Sequence, residues 1–117
     1  MLTRRLLALL VSILLIGGEA FAVEPSAEDR ETARALMQQG DQAAAREDYG
    51  AALEAFQGAH AIMLVPSTGM EVARTLVAMD RLVEARQLAL EVDAMPVQPG
   101  EPTPFARARV EAKAGAA

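Results

Sequence analysis

From Ser26 onward, apolar and small residues recur at intervals of three and four, which is helical spacing rather than the alternation of a strand. Ala33, Leu36, Met37, Gly40, Ala43 and Ala44 would share one face of a first helix, with Ser26 as its cap and Asp29 three residues on. Arg46-Glu47-Asp48 interrupts that stripe. Tyr49-Gly50 restarts it, and Ala52, Phe56, Ala59 and Met63 form a second stripe running to Val65, because Pro66 disfavours helix in the residue before it. Thr68 and Glu71 have the spacing of a capping box and predict the opening of a third helix, with Val72, Ala73, Leu76 and Met79 on one face. Asp80-Arg81 marks the next turn. Leu82, Ala85, Leu88, Ala89 and Val92 then predict a fourth helix, stopped at Pro96. Turns this short make successive helices antiparallel neighbours.

Between Ala94 and Pro104 stand Pro96, Pro99, Pro102, Pro104 and Gly100, a composition that predicts an extended or turned connector over 97–104. Thr103 reads as a cap and Pro104 as the first residue of a fifth helix, extending from about Phe105 to Lys113. Its large apolar side chains are Phe105 and Val110. A helix this short is marginal unless docked, so it promises thin cover for the fourth helix and a weakly stable chain.

The segment before Ser26 has a different pattern. Arg4-Arg5, an apolar run from Leu6 to Ile16, and a more polar stretch closing on Ala20-Phe21-Ala22 follow the order of a secretory signal peptide over residues 1–22. Eleven residues as helix reach roughly 16 Å, about half of a bilayer's hydrocarbon core, so retention as an anchor is the weaker alternative. The expected location is therefore exported, periplasmic or secreted, with no membrane attachment after cleavage. Cleavage leaves nine basic against fifteen acidic residues, a net charge of −6 compared with −5 for the whole chain. That balance argues against binding nucleic acid or an anionic membrane through a basic face.

Alanine fills 25 of 117 positions, which favours helices that approach closely and makes an all-β chain untenable. The expected fold class is all-α, built from antiparallel helical hairpins. With no cysteine there is no disulfide framework, thiolate metal site, lipid attachment of the lipoprotein kind or cysteine nucleophile.

Sliding the first hairpin onto the second by 33 residues sets Gly40 on Ala73, Ala43 on Leu76, Tyr49 on Leu82, Ala52 on Ala85, Phe56 on Ala89 and Ala59 on Val92. The order of small, apolar, turn, bulky apolar, alanine, apolar and small residues resembles a degenerate tetratricopeptide repeat, whose period is about 34 residues. Ala52-Leu53-Glu54-Ala55-Phe56-Gln57-Gly58-Ala59 resembles the second helix of that unit. Ala55 to Met63, Val65 to Ala73 and Arg81 to Arg86 together look like a group of exported bacterial repeat proteins. The resemblance implies an α-solenoid with two hairpins over 23–96 and a partial third repeat or capping helix over 105–117. It also implies a non-catalytic module of the cell envelope that binds a protein or peptide. Members of that group often continue into a β-rich domain. A structural fragment that associates with itself or packs on such a domain therefore stays open as an alternative.

Candidate chemistry adds little to this. His60 has no second histidine near it in the pattern and reads as a packed or half-exposed helix residue, so no metal site is expected. Glu28-Asp29 and Glu47-Asp48 are adjacent in sequence and diverge around a helix or turn rather than facing each other as catalytic carboxylates. The serines lack a nucleophile elbow and no phosphate-binding glycine motif occurs, so neither enzyme activity nor a cofactor is expected. What remains is a surface. In the family that the chain resembles, the first helix of each hairpin lines the concave face, which implies that Arg34, Met37, Asp41, Met70 and Arg74 meet the partner. Paired guanidinium groups beside adaptable methionines would suit an extended peptide or its carboxylate.

Expression of the whole chain in a bacterial host should yield an exported product that begins at Val23, detected by intact mass. Cytoplasmic material that retains Met1 would contradict the signal peptide.

Overall fold

The computed structural model describes residues 24–117; the signal peptide expected over 1–22 lies outside the described residues. Five helices follow in order: α1 (Ala27–Ala45), α2 (Tyr49–Met63), α3 (Pro66–Ala78), α4 (Leu82–Asp93) and α5 (Thr103–Ala116). The fold is all-α, with no strand among the described residues. Each helix packs on the next in the chain, and α5 also packs on α3.

The two hairpins, α1/α2 and α3/α4, are closed by turns that match bond for bond at an offset of 33 residues. Glu47 and Asp80 both take the left-handed conformation, each with φ of 59°. In the first turn the Asp48 amide donates to the Ala43 carbonyl at 2.9 Å and the Glu47 amide to Ala44 at 2.9 Å. In the second, Arg81 donates to Leu76 at 2.9 Å and Asp80 to Val77 at 3.0 Å. These nested bonds satisfy the carbonyls that a helix end otherwise leaves without partners. The left-handed position is held by an acidic residue in each case rather than by glycine.

The first three helices start in three different ways. Ser26 and Asp29 form a reciprocal capping box on α1, with bonds of 3.0 and 3.2 Å. The Asp48 carboxylate accepts from the Ala51 amide at 3.3 Å at the start of α2. α3 corrects the sequence expectation: it begins at Pro66, two residues before Thr68, and its cap Val65 makes no side-chain bond. Proline fits the first helical position because its fixed φ suits the helix and its missing N–H is not needed there. Thr68 is consequently inside the helix and buried, and its hydroxyl donates to the Val65 carbonyl at 3.0 Å. α2 ends at Met63, with Leu64 left-handed at φ 47° rather than continuing the helix to Val65.

Packing follows small-into-large pairing. A Cβ placed on Gly40 would lie 2.5 Å from Phe56 Cδ1, and one on Gly69 would lie 2.6 Å from Val92 Cγ2. Both distances are too short for a side chain, so each glycine is a socket for the bulky residue of its partner helix. Phe56 and Val92 are the largest fully buried side chains. One core cluster joins Ala43, Ala52, Leu53, Phe56, Val72, Leu76 and Ala85. A second joins Met70, Ala73, Ala89, Val92, Ala108 and Ala112. Half-buried Leu88 touches both.

Two expectations about the later helices are corrected. Leu82 opens α4 but is more than half exposed, because it lies at the turn end where no helix covers it. α5 begins at Thr103 and extends to Ala116, and it docks through Ala108 and Ala112 while Val110 faces outward. The small faces of α3, α4 and α5 allow close helix approach, so alanines do what Phe105 and Val110 were expected to do.

Gly40→Ala should destabilise the fold by about 1 to 3 kcal/mol despite alanine's better helix propensity, because the ring of Phe56 has no room to withdraw. Gly50→Ala, whose added Cβ has no neighbour nearer than 4.0 Å, should instead raise stability by about 0.5 kcal/mol. Urea unfolding of the two variants checks the difference in sign.

Candidate partner-binding site

α3 and α4 present one face each to a shared trough. Met70, Ala73, Arg74 and Val77 lie along the α3 side at helical spacing, and Leu82, Ala85, Arg86 and Ala89 along the α4 side. α5 lies in one half of this trough, where Ala108 and Ala112 rest on Met70, Ala73, Ala89 and Val92. The other half is open, a largely apolar groove of about 710 Å³ that runs toward the α3–α4 turn and is walled at one side by Glu111, Ala114 and Gly115 of α5. Its volume is within the range of small-ligand and peptide sites.

Arginines fix the polar edge. Arg74 grips the Glu111 carboxylate with two parallel bonds, Nε to Oε1 at 2.6 Å and Nη2 to Oε2 at 2.7 Å, and reaches Glu71 Oε1 at 2.5 Å with Nη1. The fork geometry of guanidinium and carboxylate makes this pairing directional as well as attractive. Its bonds to Glu111 and Glu71 raise the Arg74 pKa further, while the same contact holds the Glu111 carboxyl below its ordinary 4.5. Arg86, on the opposite edge, spends only Nε, which donates to the Ala116 carbonyl at 3.1 Å. Its Nη groups make no bond among the described residues.

A third arginine holds α5 at its other end. Arg109 donates to the carbonyls of Met95 at 3.2 Å and Pro96 at 2.9 Å, and also clasps the Glu101 carboxylate, with Nη2 to Oε2 at 2.9 Å and Nη1 to Oε1. The side chains are 12% and 11% exposed, so the pair is mostly enclosed by the connector that it organises. The Gln98 amide adds a bond to the same carboxylate at 3.2 Å. Its bond to Arg109 holds the Glu101 carboxyl below the ordinary value.

The five residues singled out in the sequence are not gathered in one place. Met70 is 4% exposed and belongs to the core, its side chain forming the floor between α3 and α5. Arg74 is on the groove edge, engaged with Glu71 and Glu111. Arg34 is in the open on α1, paired with Glu31 at 2.5 Å. Asp41 is exposed and Met37 packs half-buried against the first core cluster. None of these α1 residues lines the groove. The groove residues that sequence reasoning passed over are Val77, Leu82, Arg86 and Glu111. Val77 and Leu82 were legible as apolar residues flanking a turn, but their exposure was not.

Among the described residues, no group of three or more metal-ligating side chains comes together and no helix is long and apolar enough to cross a membrane. Comparison with protein-family models, curated proteins and solved structures finds no match.

Paired carboxylates whose pKa is lowered on folding contribute stability that is complete above their unfolded value and disappears as pH falls through the folded one. Glu101 and Glu111 both act on α5, so docking of this helix should weaken once the pH drops below about 4.5. Amide exchange at pH 5.5 and pH 3.5 should show a larger loss of protection factor in 103–116 than in 49–63, and Glu111→Gln should reduce the difference.

Proposed function

We propose that this chain is an exported, non-catalytic helical-repeat module of the bacterial cell envelope, of tetratricopeptide-like solenoid type, that binds a protein or peptide segment. The observation that carries the reading is the open half of the α3/α4 trough beside the half that α5 fills. α5 is an internal example of what the trough accepts: a segment with small side chains against the floor and a carboxylate in the grip of an edge arginine. Arg86 is the second edge arginine, and its Nη groups, without a bond among the described residues, point to the same kind of carboxylate. The fitting partner is therefore a short segment with small or medium apolar side chains and one acidic residue. The 33-residue identity of the two turns supports the repeat reading, since each turn closes with bonds inside its own hairpin.

A second reading is favoured by a separate observation. Val83, 82% exposed, and Leu90 stand on the outer face of α4 with Arg86 and Gln87 between them, an apolar stripe of the kind that pairs with a copy of itself. In that case the chain is a structural, self-associating element.

One experiment separates the two. A peptide library displayed on phage, selected on immobilised residues 23–117, should enrich apolar sequences that contain Asp or Glu. Leu82→Lys and Arg86→Glu should each reduce binding of an enriched peptide at least tenfold, while Val83→Lys leaves it unchanged. Absence of enrichment, together with a molar mass that doubles with concentration in light scattering and is restored to monomer by Val83→Lys, would favour self-association.

A further inference from the structure

The chain docks a helix onto a hairpin twice, once with large side chains and once with small ones. α3 lies on the first hairpin through buried Val72 and Leu76, and Met79, one turn further on, packs half-buried against the same core, as does Ala44 near the end of α1. α5 lies on the second hairpin through Ala108 and Ala112. The two docking stripes correspond at an offset of 36 residues, so the position that answers to Met79 is Gly115. Nothing is set down there. Val77, which answers to Ala44 at the 33-residue offset of the hairpins, is 55% exposed, and so is Leu82 across the turn. Gly115, Val77 and Leu82 all line the open groove.

Gly115 is also unlike the other glycines that face a neighbouring helix. Gly40 and Gly69 are filled sockets, with Phe56 and Val92 too close to admit a side chain. A Cβ on Gly115 would meet only the Cβ of Ala89, at 3.7 Å, an ordinary van der Waals contact. Its backbone is helical, and the one glycine with positive φ among the described residues is Gly100. Neither conformation nor packing within the chain therefore calls for glycine at 115, where alanine would make the better helix.

We propose that Gly115 holds the groove open as a socket for one leucine- or methionine-sized side chain of the partner segment, whose acidic residue meets Arg86; this rests on the reading of the groove as a peptide site. Two observations choose that occupant. Met70, Ala73 and Ala89 belong both to the groove and to the core under α5, so a side chain entering beside Gly115 extends an apolar contact that already exists. Charge then places the carboxylate. Arg74 already holds those of Glu71 and Glu111, whereas Arg86 is steadied at the groove edge by the Ala116 carbonyl and has Nη groups with no bond among the described residues. Leu82 and Arg86 are one helical turn apart on α4, which puts the apolar and acidic contacts side by side.

The test uses the exported form, residues 23–117, with anilinonaphthalene sulfonate as the probe, an apolar ring system joined to an anion. The dye should bind with enhanced fluorescence, and Leu82→Lys and Arg86→Gln should each weaken it. Gly115→Leu should weaken it about tenfold while raising the urea midpoint, because leucine fills the socket from within the chain and is the better helix former. Gly115→Ala, too short to fill the socket, should keep the affinity, and Val83→Lys on the outer face of α4 should keep it too. Peptides selected on the unaltered chain should pair Leu or Met with the acidic residue, and selection on Gly115→Leu should lose that pairing. Full dye affinity in Gly115→Leu beside a loss in Leu82→Lys would overturn the proposal and leave the groove reading standing, as would acidic peptides with no preference for Leu or Met. Dye binding untouched by Leu82→Lys would remove both. A Gly115→Leu chain less stable than the unaltered one would show that the socket has no room, which also overturns the proposal.

Discussion

Everything in this fold depends on α3 being buried on two sides at once. Its Val72 and Leu76 belong to the core shared with the first hairpin, while Met70 and Ala73 belong to the core shared with α4 and α5. Eight of its thirteen residues are buried, so the polar groups among them must find partners locally. Thr68 donates to the Val65 carbonyl and Thr75 to the Glu71 carbonyl at 2.8 Å. Both hydroxyls bond backward along their own chain, which leaves the outer faces free for packing. Pro66 at the first position spares the helix a donor that would otherwise have needed a partner at a crowded turn.

The two core clusters differ in what fills them. Around Phe56 the packing uses one large ring and a glycine socket, so shape is strongly specified and a change of one methyl is felt. Between α3, α4 and α5 it uses alanines, with Val92 and Met70 as the larger members. Alanine burial removes little area per residue from water, so the position of α5 depends more heavily on Arg74, Arg86 and Arg109. Electrostatic holding of this kind is sensitive to salt and acid in a way that the Phe56 cluster is not.

The helices and their stripes were legible in the sequence because apolar spacing of three and four is a local property. The 33-residue offset was legible for the same reason, and the two turns match at that offset: Glu47 and Asp80, neither of them glycine, occupy the same left-handed position. The start of α3 was misread because Thr68 and Glu71 have the right spacing for a capping box, while Pro66 already supplies a sufficient start. Periodicity also places residues on a face without saying whether another helix covers it. Met70 sank into the core because α5 comes back over α3, and Leu82 stayed exposed because α5 ends short of it. Contacts such as Arg74 with Glu111, 37 residues apart, leave no local trace in the chain. The groove depends on them, which is why its residues were not the ones chosen.

The turns at Glu47 and Asp80 carry an implication for how such a chain changes length. Each is closed by amides and carbonyls of its own hairpin, so neither draws on the other unit for its geometry. A stretch of 33 residues could be duplicated or lost between them without remaking either turn. Resistance to such an event comes from elsewhere: the His60 ring lodged against Gly69, and the guanidinium groups that tether α5 to the second hairpin. The turns are thus the part of the chain that a change of length would leave alone, and the seams between the hairpins are the part that it would have to rebuild.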